Sequence, residues 1–228
     1  MSRNKSMADK KNPLSLSGAL PWGASVAAEV LSGIGVPGGN LLANYVDAFQ
    51  QKKRKEATDI LIEQITAGKH GPVNFTEDDV DPFIAATLRF ARAVEIGAAH
   101  DNLVLLAQVI AGLKRQKALT VDAFMRWAGV LEQMTRDELM ILGLAYRAQK
   151  FNNAESRAEN ATVWPHVIGA MTNAGYGAGD IQSLAACVSR YGLLTPSNDW
   201  NSAGYDPTGW LMELGDLADL ELVSAAGR

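Results

Sequence analysis

Apolar side chains recur at three- and four-residue intervals through the middle of the chain, and that spacing commits it to helices. Phe124, Trp127, Leu131 and Met134 form one strip, and Leu139, Leu142 and Tyr146 form another. A helix turns once in 3.6 residues, so each strip occupies one helical face that has to be buried. Thr120 stands ahead of the first strip. Thr135-Arg136-Asp137-Glu138 stands ahead of the second, with threonine at the N-cap and glutamate three residues later, the pattern of a capping box.

The same reading extends upstream. Asn40 to about Thr66 reads as a long amphipathic helix, with Leu41, Tyr45, Ala48, Phe49, Ile60, Leu61 and Ile65 near the helical period. Gly68 to Pro72 ends it. Thr76, with Asp79 three residues on, is expected to cap the next helix, whose core candidates are Phe83, Leu88, Phe90 and Val94. The carboxylates of Glu77, Asp78, Asp79 and Asp81 suit the positive end of that helix. They lack the alternating ligands and central glycine of a calcium-binding EF-hand loop, so no metal is expected there. Leu103 to Leu113 reads as a further helix with the basic exit Lys114-Arg115-Gln116-Lys117.

Downstream, residues 151–160 are polar and are the best candidate for a domain boundary. Trp164 to Ala174 and Asp180 to Tyr191 read as two helices joined by a glycine-rich turn. Cys187, in the run Leu184-Ala185-Ala186-Cys187-Val188, is expected to be a small core residue. Two short extended pieces then flank a polar loop, and a last helix runs from about Thr208 to Leu222. Helix, turn, helix, wing and helix resemble a winged helix. The expected fold is therefore mainly α. A flexible tail (1–13) precedes a multi-helix N-terminal bundle (14–151), and a winged-helix-like C-terminal region (161–228) with a short β-hairpin follows.

Charge bears on whether that region binds DNA. Residues 1–151 hold 18 Lys/Arg against 16 Asp/Glu, whereas residues 152–228 hold 3 against 9. Phosphate neutralisation supplies most of the affinity of a DNA-binding domain. A region this acidic repels the duplex, so nucleic-acid binding is not expected through it. A winged-helix regulator is the alternative reading, and it requires salt-sensitive DNA binding.

Two segments bear on membranes. Leu14 to Val36 is rich in alanine, valine, leucine and glycine, with Glu29 its only charge. Gly23 and Ala27 are four residues apart, and such pairs let helices approach closely in water or in lipid. Pro21 and Glu29 argue against insertion, so intramolecular packing is the favoured reading. Gly33, Gly35 and Gly38 fit a GxGxxG pattern formally, but the strand and βαβ context of a dinucleotide site are missing, and the segment reads as a turn. Lys52-Lys53-Arg54-Lys55 point in four directions around their helix. They read as a solvated belt, or, in the sharper reading, as a contact for anionic lipid or nucleic-acid phosphate, with the adjoining small-residue segment favouring lipid.

Nothing in the chain carries chemistry by spacing. His70, His100 and His166 lie far apart, no nucleophile stands beside a base, and no metal-ligand or cofactor motif occurs. Cys187 is the one cysteine, so an intramolecular disulfide is excluded and a reducing compartment fits. The basic start Met1-Ser2-Arg3-Asn4-Lys5 is not followed by the apolar core of a signal peptide, so a cytoplasmic location is expected.

Three stretches resemble the abortive-infection alpha family of bacterial antiphage proteins. They are the Gly/Ala-rich opening with the helix reaching Gln50-Gln51-Lys52-Lys53-Arg54, the segment Met134 to Leu142, and the ending Arg190-Tyr191-Gly192-Leu193-Leu194 with Tyr205-Asp206-Pro207-Thr208-Gly209. In the last, glycine follows threonine directly, a departure from the family's spacing. The resemblance covers about a third of the chain. It implies a defence-associated or prophage-associated role without a catalytic residue, and with the two membrane-related segments it suggests a non-enzymatic interaction protein, with a protein partner or a second copy, peripheral to the inner membrane.

Overall fold

The computed structural model describes residues 39–154, 163–197 and 204–222, and for 39–47 the backbone alone. The tail 1–13 and the segment 14–36, with Gly23, Ala27, Gly33 and Gly35, lie outside the described residues. The chain divides into two compact units, Met1–Lys52 and Lys53–Arg228. The described residues expected in a winged-helix-like region therefore share a unit with most of the helical bundle.

Eight α-helices and one hairpin are described. In order they are α1 (Gly39–Thr66), α2 (Val80–Glu95, entered through a 3-10 turn at Glu77–Asp79), α3 (His100–Arg115), α4 (Val121–Leu131), α5 (Arg136–Ala154), α6 (Trp164–Asn173) and α7 (Ala178–Ser189). Strands β1 (Leu194–Ser197) and β2 (Gly204–Pro207) follow, and then α8 (Gly209–Leu217). The fold is mainly α with a short antiparallel hairpin, as the helical spacing predicts.

The caps legible in the sequence are made. Thr120 Oγ1 accepts from Ala123 N at 3.2 Å. Thr135 N donates to Glu138 Oε2 at 2.8 Å and Glu138 N returns to Thr135 Oγ1 at 3.3 Å, closing the box. Both predicted strips are buried: Phe124, Trp127, Leu131 and Met134, and Leu139, Leu142 and Tyr146. α3 is the centre of the unit, with every residue from Leu105 to Leu113 buried. An element enclosed on all sides needs apolar residues around most of its circumference, and α3 has them, with Gln108 the one polar side chain in that run.

α8 packs on α3 and α5. The hairpin pairs Leu194 with Pro207 and Ser197 with Gly204. Trp164 stacks on Tyr205 with ring centroids 5.1 Å apart, which seats β2 on α6. Thr208 then turns the chain into α8: its hydroxyl donates to Gly192 O at 2.6 Å and accepts from Leu211 N.

Several expectations need correction. Cys187 is exposed, because α7 turns Ile181, Ala185 and Val188 inward and Cys187 falls on the opposite side. Leu88 is also exposed, since α2 buries Ala86, Phe90 and Ala93 and a residue two places from Ala86 points outward. Ala48 and Phe49 are exposed, more than a turn ahead of Ala57, the first buried residue among those of α1 whose side chains are described. α8 stops at Leu217 rather than Leu222, where Ala218 becomes extended (φ −128°, ψ 149°).

Candidate interaction surface

The α1 residues from Lys53 onward run antiparallel to α2. Arg54 lies 4.0 Å from Glu95, and Leu61 and Ile62, further along α1, line the same groove as Thr87 and Phe90, earlier in α2. Between the two helices is an apolar groove of about 320 Å³, walled by Ala57, Leu61 and Ile62 on one side and Phe90, Ala91 and Val94 on the other. Thr87 Oγ1 lies buried in its lining with no hydrogen-bond partner among the described residues.

The helix period carries strips of the groove lining on to exposed apolar side chains. Ile84, Leu88, Ala91 and Glu95 are spaced four, three and four apart and share one strip of α2, while Arg54, Thr58 and Ile62 share one strip of α1. Ile62, Ile84 and Leu88 are 55, 50 and 67% exposed. Single exposed apolar residues need no explanation, but a strip of them next to an apolar groove is a candidate interaction surface. This second face of α2 was not recognised from sequence. The signal was present in the 84-88-91-95 spacing, which the stronger inward pattern obscured.

Polar side chains anchor the α1 wall. Glu56 Oε1 pairs with His100 Nδ1 at 3.0 Å, and the His100 hydrogen bond, followed by that of Lys53, holds the Glu56 carboxyl below its ordinary range. Gln108 Nε2 donates to Gln64 Oε1 at 3.1 Å, and Gln108 Oε1 accepts from Asp219 N at 2.7 Å. Just beyond α1, Lys69 Nζ donates to Gly215 O and to Ala218 O, and His70 Nε2 meets Leu217 O at 2.6 Å. Because a carbonyl only accepts, His70 carries a proton on Nε2. These donors cap the C-terminal carbonyls of α8, where helix ends want partners and positive charge.

The basic belt is partly neutralised within the chain. Lys53 pairs with Glu56 at 3.2 Å and Arg54 with Glu95, whereas Lys52 and Lys55 are exposed. The three histidines have separate surroundings: His70 at the end of α8, His100 on Glu56, and His166 in a cleft of about 340 Å³ beside Arg147 and Phe151. Burial lowers the Lys69 pKa and, with the Asp216 carboxylate, pushes Tyr146 up to about 12. Tyr146 donates to Asp216 and Lys69 to backbone carbonyls, so both act as structural ties rather than as a nucleophile and base.

Among the described residues no three His, Cys, Asp or Glu side chains are grouped to hold a metal ion, and no helix is long and apolar enough to cross a membrane. α7 offers Asp180, Ser183, Ala186 and Cys187 outward, and Arg190 just beyond it lies 3.9 Å from Glu138. No protein-family model, curated protein or solved structure matches the chain.

Proposed function

We propose that this chain is a non-enzymatic interaction protein of bacterial phage defence or of a prophage, working through the α1–α2 groove. The observation that supports the interaction reading is the exposure of Ile84 and Leu88, which continue along α2 the strip of Ala91 and Glu95 in the groove lining, beside the exposed Ile62 of the same lining. Burying such surface against a partner removes it from water at a gain of roughly 25 cal/mol per Å². The defence assignment draws on the resemblance of Met134–Leu142 and of the Arg190–Gly209 ending to abortive-infection alpha proteins. A cytoplasmic location with peripheral contact to the inner membrane draws on the 14–36 segment and on the exposed Lys52 and Lys55.

Phage plating on bacteria that express the chain tests this reading. The wild-type chain is expected to lower plating efficiency, and Leu88→Glu to restore it while circular dichroism and the thermal midpoint stay near wild type. Undiminished protection by a folded Leu88→Glu variant would sink the groove as the working surface. For the membrane part, a salt wash of fractionated cells should release the chain if Lys52 and Lys55 hold it there, and recovery wholly in the cytosolic fraction rejects that contact.

A further inference from the structure

We propose that the α1–α2 groove is occupied by a second copy of this chain, with α1 of each copy lying across α2 of the other. This rests on the interaction reading and names its partner. The argument comes from the order of residues along the groove. Arg54 and Glu95 sit at the same end, 4.0 Å apart, and each has a side chain more than half exposed. Reading away from them, α1 presents Thr58 and then Ile62, while α2 presents Ala91 in the lining and then, three residues back on the same strip, the exposed Leu88.

A two-fold axis lying along the groove leaves each end facing its own equivalent and exchanges the two helices. Arg54 then meets Glu95 of the partner subunit, Thr58 meets Ala91 of the partner subunit, and Ile62 meets Leu88 of the partner subunit. The axis repeats every contact, so the patch complements itself, as an isologous interface requires. Four helices result, each antiparallel to the neighbour it covers, the arrangement that buries apolar strips in helix bundles. An axis across the groove instead sets Arg54 against Ile62 of the partner subunit and leaves the charge unpaired on an apolar surface, which is costly. Within one chain the Arg54–Glu95 pair is long and solvated and contributes little. Enclosed between two copies, the same groups would be partly desolvated and would select this register.

Sedimentation equilibrium of the full chain tests the pairing. The wild type should run at twice its 24.4 kDa chain mass at micromolar concentration. Leu88→Glu should weaken pairing by roughly a hundredfold, since the two-fold repeats the loss. Arg54→Glu and Glu95→Arg should each be monomeric alone, through repulsion between like charges. Mixed together they should form a heterodimer, because the two carboxylates of the Arg54→Glu chain then face the two guanidinium groups of the Glu95→Arg chain. That mixture separates contact between chains from contact within one chain, where each variant carries two like charges whatever it is mixed with.

A wild-type chain that stays monomeric overturns the proposal, as does a dimer indifferent to Leu88→Glu, or a charge-reversed pair that fails to mix. Plating distinguishes this failure from failure of the interaction reading. A monomer whose protection still depends on Leu88 uses the groove for a different protein, whereas protection indifferent to Leu88 removes the groove altogether.

Discussion

Gly215 lies directly beneath the ring of Tyr146: a β-carbon on Gly215 would stand 2.7 Å from the ring's Cγ and closer still to Cδ2 and Cε2. Glycine inside a helix costs about 1 kcal/mol relative to alanine, so its presence in α8 asks for a reason. The reason is approach. Without a side chain at 215, α8 comes close enough for Tyr146 to donate to Asp216 at 3.0 Å and for Lys69 to reach the Gly215 carbonyl.

Gly215→Ala should therefore destabilise the protein, by about 1–3 kcal/mol, the usual range for overpacking a buried site. The urea midpoint reports it, with an unchanged m-value if only the native state is affected. A neutral result would mean that Tyr146 moves aside at no cost.

Gly112 in α3 offers the same test from the other side. A β-carbon there would lie 2.8 Å from His70 Nε2, 2.9 Å from Leu217 Cδ2 and 3.1 Å from Leu217 O, against the end of α8. Gly129, inside α4, has nothing within 4 Å of its would-be β-carbon. Gly112→Ala should lower the thermal midpoint, and Gly129→Ala should raise stability by roughly 0.5–1 kcal/mol through helix propensity alone. Opposite signs for one chemical change are the expectation, and equal signs would contradict this account of α8 packing.

Asn102 carries a different kind of contact. Buried at the start of α3, its Nδ2 donates to Leu131 O at 2.6 Å and to Met134 O at 2.8 Å, holding the carbonyls where α4 ends. Asn102→Leu keeps the branched shape but strands two acceptors, at a cost of about 1–3 kcal/mol. Asn102→Asp should cost more at neutral pH, where a carboxylate would face those carbonyls, and should recover part of the loss in acid as the carboxyl gains a proton to donate. Equal stability of the aspartate variant at both pH values would show that the site admits water.

These contacts mark the boundary of what local sequence can reveal. Thr135 and Glu138 are three residues apart, and Phe124 to Met134 repeat at the helical period, so cap and strip are visible in a short window. Lys69 and Gly215 are 146 residues apart, and nothing near either announces the other. Cys187 and Leu88 misled for a related reason. In an apolar run the period fits more than one face, and the choice of inward face belongs to the neighbouring helices. Along α2 that choice buried Ala86, Phe90 and Ala93 and left the 84-88-91-95 strip to form the groove wall.

Asp79 connects the entry of α2 to the exit of α3, and acid should expose that tie. Its carboxylate accepts from Lys114 Nζ and from both the backbone nitrogen and the hydroxyl of Thr76. The Lys114 bond first, and then those of Thr76, hold its pKa at about 2 against an ordinary 3.8. A carboxyl depressed by folding contributes stability that is fully present above its unfolded pKa and is lost as pH falls through its folded value. The window here is thus from about pH 4 down to about pH 2. Asp79→Asn should be less stable than wild type at about pH 5, and the gap should narrow across that window, because only wild type has this charge to lose. Chemical denaturation of both chains at several pH values measures the gap. A constant difference would mean that ionisation of Asp79 is not coupled to folding.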